Sequence, residues 1–136
     1  MALLSSLGKY RDIGLLIIRV GLGLSFLLLH GYPKLIGGPE MWKAVGGAMS
    51  NINIHFYPEF WGFMGGLTEA LGGLLLILGL WYRPACIFLA FTMVIAMLNH
   101  LAAGDGIFGA SHAMELLIVF VGLLLIGPGK YSVDKR

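Results

Sequence analysis

The chain contains one cysteine, Cys86, among its 136 residues. That excludes an intrachain disulfide and any cluster held by several thiolates of this chain. Set within an apolar run, Cys86 reads as a small packing residue. Charge is the second shortage. Asp, Glu, Lys and Arg together make up 12% of the residues, against about a quarter in ordinary soluble domains. Hydrophobic residues reach 58%, and the mean hydropathy is +0.87. A soluble domain of this size has too little interior to hide so much apolar surface, so lipid is the solvent for most of it. The net charge of +2 calls for no nucleic-acid partner. The opening MALLSSLGKYRD lacks a long apolar stretch and a small-residue cleavage site, so no cleaved signal peptide is expected.

What the chain has in excess is long apolar runs. Four can cross a hydrocarbon core of ~30 Å, which takes about 20 helical residues. They cover roughly Ile13 to Tyr32, Phe60 to Tyr82, Pro84 to Ala103 and, a little short, His112 to Pro128. Run length favours helix over strand, and lipid requires every backbone N–H and C=O to be satisfied within its segment. The expected fold is all-α: a single domain over residues 1–136, an integral membrane four-helix transmembrane bundle. Lys9 and Arg11 precede the first span, Arg83 lies between the second and third, and Lys130, Lys135 and Arg136 follow the fourth. The opposite side carries only Lys34 and Lys43. By the positive-inside rule both termini are cytoplasmic.

The longest connection, about residues 33–59, joins the first two spans. Met41, Trp42, Val45 and Met49 recur there at helical spacing, which predicts a short interfacial helix. Trp42, Phe56, Tyr57, Phe60 and Trp61 fit an interfacial aromatic belt. In the second span, Gly62, Gly65, Gly66, Glu69, Gly72 and Gly73 form a stripe of small residues around one acid. Such a stripe lets helix backbones approach closely in lipid. A faint parallel repeat is also visible, with His30 and His100 ending the odd spans and Glu69 and Glu115 in the even ones.

Charges at the centre of a span cost ~2.5–3.5 kcal/mol each on insertion scales, so each needs a reason. Arg19 and Glu69 fall at depths agreeing within about two helical turns, which predicts an intramembrane ion pair. A second polar group gathers nearer the outer surface: His30, Lys34, Asn99, His100, His112 and Glu115. Arg19, Gly23, Phe26 and His30 share one helix face, with about 20° between the first and the last. Met93, Ala96 and His100 do the same on the third span, and His112 and Glu115 are i, i+3 neighbours. Three helices thus bring imidazoles or carboxylates to similar depth, which predicts a ligand-binding pocket near the outer leaflet lined by those six residues. His112 and Lys34 also read plainly as interfacial groups, and His55 as a loop residue.

Such a set suits a quinone. An imidazole N–H or an ammonium bonds a carbonyl oxygen, and a carboxylate or imidazole accepts the proton released on quinol oxidation. His30, His100, His112 and Glu115 are also ligand types for zinc, copper or iron. No HxxxH or HExxH spacing accompanies them, and no metal site is expected. A b-type haem held between His30 and His100 is a third option. The pattern names no catalytic residue.

Several dispersed motifs carry a resemblance: HGYPKLIGG after an Arg-bearing helix, GGLTEALGGLLLILGLWYRPA, MVIAMLNH, HAMELLI and GPGKYSVDK. From about Asp12 to Asp134 the chain resembles the DoxX family of small bacterial and archaeal membrane proteins. The matching positions are His30, Gly31, Lys34, Glu69, Gly72, Gly73, Arg83, His100, Glu115, Gly127, Pro128 and Gly129. The resemblance implies a four-helix protein of the prokaryotic plasma membrane. It also implies redox company. The family takes its name from a relative of a thiosulfate:quinone oxidoreductase subunit, and other members are linked to membrane redox or thiol-stress complexes. The expectation is a redox-associated, quinone-linked subunit working beside other membrane subunits or further copies of itself. The alternative is a non-catalytic structural or assembly subunit, and transport through the polar interior ranks after both.

Overall fold

A computed structural model of the protein describes residues 3–134. The ordered elements among these residues are all helices, without strands. A 3₁₀ turn, Ser5–Tyr10, leads into α1, Arg11–Leu24, which continues through a π-helical segment, Ser25–Gly31, into α2, Tyr32–Ile36. Then come α3, Gly38–Gly46, a second 3₁₀ turn, Gly47–Ile52, and three long helices: α4, Pro58–Leu78, α5, Tyr82–Ala102, and α6, Gly106–Ile126. Four stretches are long and apolar enough to cross a membrane: Ser5–Ile36, Pro58–Leu78, Tyr82–Ala102 and Gly106–Ile126. The last three have 21 residues each, about 31 Å at 1.5 Å per residue, which matches a hydrocarbon core.

Several boundaries differ from the sequence reading, among them the end of the second span, at Leu78 rather than Tyr82. The first span does not stop at Tyr32, because Pro33 stands in the first turn of α2, where a missing N–H is tolerated. The fourth begins at Gly106 rather than His112. Gly104 and Gly106 adopt positive φ (84° and 68°) and turn the chain early, so that IFGAS joins the helix.

The first span and α3 run antiparallel to α4, in a close approach made by small residues. A side chain on Gly23 would meet the carbonyl of Gly73, one on Gly31 would strike Ala70, and one on Gly46 would strike Pro58. Gly66 leaves room for Lys34 and Leu35. Gly72 faces Leu89 of α5 instead, so the glycines of α4 serve two neighbours. The predicted helix of the first connection exists as α3, and it lies against the start of α4, with Trp42 edge-on to Phe63 at 5.1 Å. A core of Phe26, Leu76, Tyr82, Cys86, Leu89, Met93, Phe120 and Leu123 joins the four spans. Cys86 is fully buried in it, as a packing residue should be. Both ends of the described chain meet at one end of the bundle, where the Lys130 N–H donates to Asp12 Oδ1 at 2.9 Å.

Candidate functional site

The expected Arg19–Glu69 ion pair does not form. Arg19 is 1% exposed and directs its guanidinium at main-chain carbonyls alone. Nε donates to Leu76 O at 2.9 Å and Nη2 to Ile77 O at 3.0 Å. Nη1 donates to Pro128 O at 2.8 Å and to Tyr131 O at 2.7 Å. The first two oxygens belong to the last turn of α4, at the negative end of the helix dipole, and Leu76 O also accepts from the Gly79 N–H at 3.2 Å. The misjudgement was one of register. With Gly23 against Gly73, Arg19 is level with the end of α4, about two turns past Glu69.

The other two carbonyls belong to GPGKYSVD, residues 127–134, to which composition and periodicity assigned no task. This segment folds back under α4 and α5. Val133 N donates to Leu78 O and Asp134 N to Gly79 O, at 3.1 and 2.8 Å. The Asp134 carboxylate accepts from the N–H groups of Trp81 and Tyr82, satisfying the start of α5. Arg19 and Asp134 together make a clasp that fastens residues 127–134 to the end of α4 and the start of α5.

Glu69, 3% exposed, pairs with Lys34: Nζ to Oε2 is 2.7 Å. Lys34 reaches it because the helix continues past Pro33 and places this side chain beside α4 at Gly66. Trp42 Nε1 donates to Lys34 O at 2.8 Å, fastening α2 to α3. Pairing matters here, since either charge alone in a low dielectric is strongly unfavourable.

The pair lies on the wall of a cavity of ≈ 390 Å³ between α4 and α5 on one side and α3 with the following 3₁₀ turn on the other. Its lining is mostly apolar, including Val45, Met49, Met64, Phe88, Phe91 and Ile95. Thr68, Thr92, Asn99 and His100 add polar groups. His100 Nδ1 is hydrogen-bonded to Asp105 Oδ2 at 2.7 Å, which orients the ring. Trp61 also lines the cavity. Its Nε1 is buried and finds no acceptor among the described residues. The sequence reading left Trp61 in an aromatic belt and Thr68 unmentioned. A tryptophan one turn into a glycine-striped helix was the available signal for the first.

Of the six residues expected around one pocket, Lys34, Asn99 and His100 line this cavity, and Glu69 joins them. His30, His112 and Glu115 lie elsewhere. The His30 ring sits between Phe26 and His112, with centroids 5.2 and 5.9 Å away. His112 and Glu115 are exposed on α6. The segment that carries His30 is π-helical, so the count of 100° per residue does not hold across it. His30 and His100 thus do not line one cavity. Among the described residues, no three His, Cys, Asp or Glu side chains come together as a metal would need.

Comparison with known proteins gives this geometry a lineage. The DoxX family profile matches residues 14–102. The chain belongs to the DoxX family. This DoxX protein is similar to an uncharacterized protein of Haemophilus influenzae, with 27% identity over 139 residues, covering 98% of this chain and 97% of that one. It is also similar to the inner membrane protein YqjF of Escherichia coli, with 29% identity over 132 residues, covering 93% and 94%. No solved structure matches it. The matched region takes in α1 to α5, and with them Lys34, Glu69 and the cavity, and ends before α6 and the clasp. With four apolar spans and an inner-membrane relative, this DoxX protein is a multi-pass protein of the prokaryotic plasma membrane.

Proposed function

We propose that this protein is a quinone-linked membrane subunit whose cavity between α3, α4 and α5 holds the quinone ring. The observation that carries the reading is the Lys34–Glu69 pair, set at 2.7 Å on the wall of a largely apolar cavity. An intramembrane ionisable pair beside a cavity is a functional site by default, because its insertion is costly and architecture alone has cheaper solutions. The volume of ≈ 390 Å³ is that of a small-molecule site, and apolar walls with a few polar groups are what such sites present.

The residues present fit a quinone. When bound, it would supply paired electron and proton transfer. The Lys34 ammonium has donors beyond the one it gives Glu69 and can bond a carbonyl oxygen. The Glu69 carboxylate can accept a proton from a ring hydroxyl, becoming a neutral acid beside the Lys34 ammonium. Phe88, Phe91 and Met64 provide an apolar bed for the ring and its tail. Asn99 and His100 stand at the loop end of the cavity, with His100 held by Asp105.

Lys9, Arg11, Arg83 and Lys130 at the terminal end of the bundle support, by the positive-inside rule, an orientation with that end in the cytoplasm and the cavity in the outer leaflet. In this placement α3 lies at the outer interface, with Trp42 tucked against α4. Other membrane subunits, or a second copy of the chain, would exchange electrons with the bound quinone. Organic extraction of natively purified protein tests the reading. Quinone should be recovered from the wild type and lost from Lys34→Gln. Equal, trace amounts from both would leave the assembly-subunit alternative in its place.

A further inference from the structure

A second cavity, of ≈ 520 Å³, lies at the terminal end of the bundle, away from Lys34 and Glu69. Arg83 and Pro84 line it from the start of α5, Ile126 from the end of α6, and Pro128 and Asp134 from the clasp. Arg83 is the second residue of α5 and Ile126 the last of α6. The cavity therefore sits where two spans leave the hydrocarbon for the headgroup layer.

Opposite charges share this cavity without meeting. Neither Arg83 nor Asp134 takes part in the ion pairs Lys34–Glu69 and His100–Asp105, and among the described residues no bridge joins one to the other. Arg83 Nε donates to Leu124 O at 3.3 Å, which lays the guanidinium across the end of α6. Its two Nη groups have no acceptor among the described residues, and Nη2 is 3.4 Å from where a side chain on Gly127 would begin. Asp134 accepts from the N–H groups of Trp81 and Tyr82 at 3.1 and 2.8 Å, one on each oxygen. Those backbone donors hold the carboxylate in place without neutralising it. Helix capping accounts for these contacts. It does not account for a cation and an anion held apart on the walls of one cavity.

The membrane side of the cavity is open and apolar. One turn deeper than Ile126, Gly122 leaves α6 bare, since a side chain there would meet nothing within 4 Å. One turn deeper than Arg83, Ile87 is 52% exposed on α5. Residues one turn apart share a helix face, so an apolar strip runs from the cavity into the hydrocarbon.

We propose that this cavity seats the headgroup of a membrane phospholipid bearing a phosphate and a primary ammonium, with an acyl chain along the strip below it. The phosphate takes the Nη groups of Arg83, whose planar fork matches its oxygens. The ammonium goes to Asp134. A purely anionic head would set its charge against that carboxylate, whereas an aminoethyl phosphate meets both walls with the opposite sign. The lipid would bridge α5, α6 and the clasp. This site is independent of the quinone reading.

Native mass spectrometry of the full-length protein in mild detergent, titrated with phosphatidylethanolamine, tests the proposal. Arg83→Gln should bind the lipid about tenfold more weakly than the wild type, as the loss of a charge-assisted hydrogen bond predicts. Lys130→Gln removes a cation at the same end that does not line the cavity, and should bind as the wild type does. Gly122→Leu fills the open strip and should weaken binding too. The wild type should prefer phosphatidylethanolamine to phosphatidylglycerol, and Asp134→Asn should erase that preference. The preference is a ratio within one preparation, so a loss of folded protein leaves it unchanged. Soluble O-phosphoethanolamine, which has no acyl chains, should not displace the lipid. Wild-type binding by Arg83→Gln, no binding by the wild type, or a preference that favours phosphatidylglycerol or survives Asp134→Asn would overturn the proposal. Displacement by O-phosphoethanolamine at equal concentration would overturn it as well, giving the cavity to a soluble phosphate ester.

Discussion

Arg19 and Lys34 ride on the same membrane span, and the difference between them separates architecture from chemistry in this molecule. Arg19 is enclosed by four main-chain carbonyls from α4 and the clasp, and its side chain is 1% exposed. Carbonyls neither titrate nor leave, so its charge is fixed in place and committed to holding two segments together. Lys34 has one partner, Glu69, and both line a cavity. A carboxylate can take a proton, and a partly exposed ammonium has donors to spare. Arg19 ties the terminal end of the bundle together, whereas the Lys34–Glu69 pair borders the cavity between α3, α4 and α5.

That contrast can be broken by mutation. The largest effect is expected at Arg19. Replacing it with Met removes the Arg19 donor from Ile77 O, Pro128 O and Tyr131 O, while Leu76 O keeps the Gly79 N–H, at about 1–3 kcal/mol for each one left unpaired. Arg19→Met should therefore lose at least about 3 kcal/mol of stability in a detergent unfolding titration. It should also expose residues 127–134 to protease. No second substitution should restore it, because its partners are main chain.

Lys34 should behave differently. Lys34→Gln leaves Glu69 buried without its cation. The loss falls in the lower part of about 3–5 kcal/mol, since Lys34 is partly exposed and solvent screens some of the charge. Adding Glu69→Gln should recover most of that stability, because two neutral amides can hydrogen-bond where the ions did. The same titration checks this. If the double variant is no more stable than the single one, the pair is as architectural as Arg19 and the contrast collapses.

The smallest effect sharpens the boundary of the site. His112→Ala removes an exposed ring from α6 that stacks with His30 and does not line the cavity. Stability should change by less than about 0.5 kcal/mol, and quinone affinity should stay at the wild-type value. A loss of affinity here would move the site toward the His30–His112 stack.

Much of this fold was readable beforehand, because lipid permits few solutions and a span announces itself by length. The polar pairings were harder, for reasons visible at particular residues. Arg19 and Glu69 have suitable depth and chemistry for each other, yet register set by Gly23 on Gly73 separates them. A main-chain carbonyl carries no side-chain signature, so the true partners of Arg19 could not be found by matching charges. Lys34 seemed to lie beyond its helix until Pro33 proved compatible with a first turn. His30 was placed by counting 100° per residue, and a π-helical segment breaks that count. The clasp shows no periodicity at all, and only the packed structure gives residues 127–134 their task.

The central claim is that the ligand sits between α3, α4 and α5, beside Lys34 and Glu69. Photolabelling of the protein in membranes with an azido-benzoquinone, followed by peptide mapping, tests it most directly. The account predicts label on groove residues such as Met49, Met64 and Phe91, competed away by unlabelled quinone and lost in Lys34→Gln. Competable label on α6 around His112, or none anywhere in the chain, would contradict it.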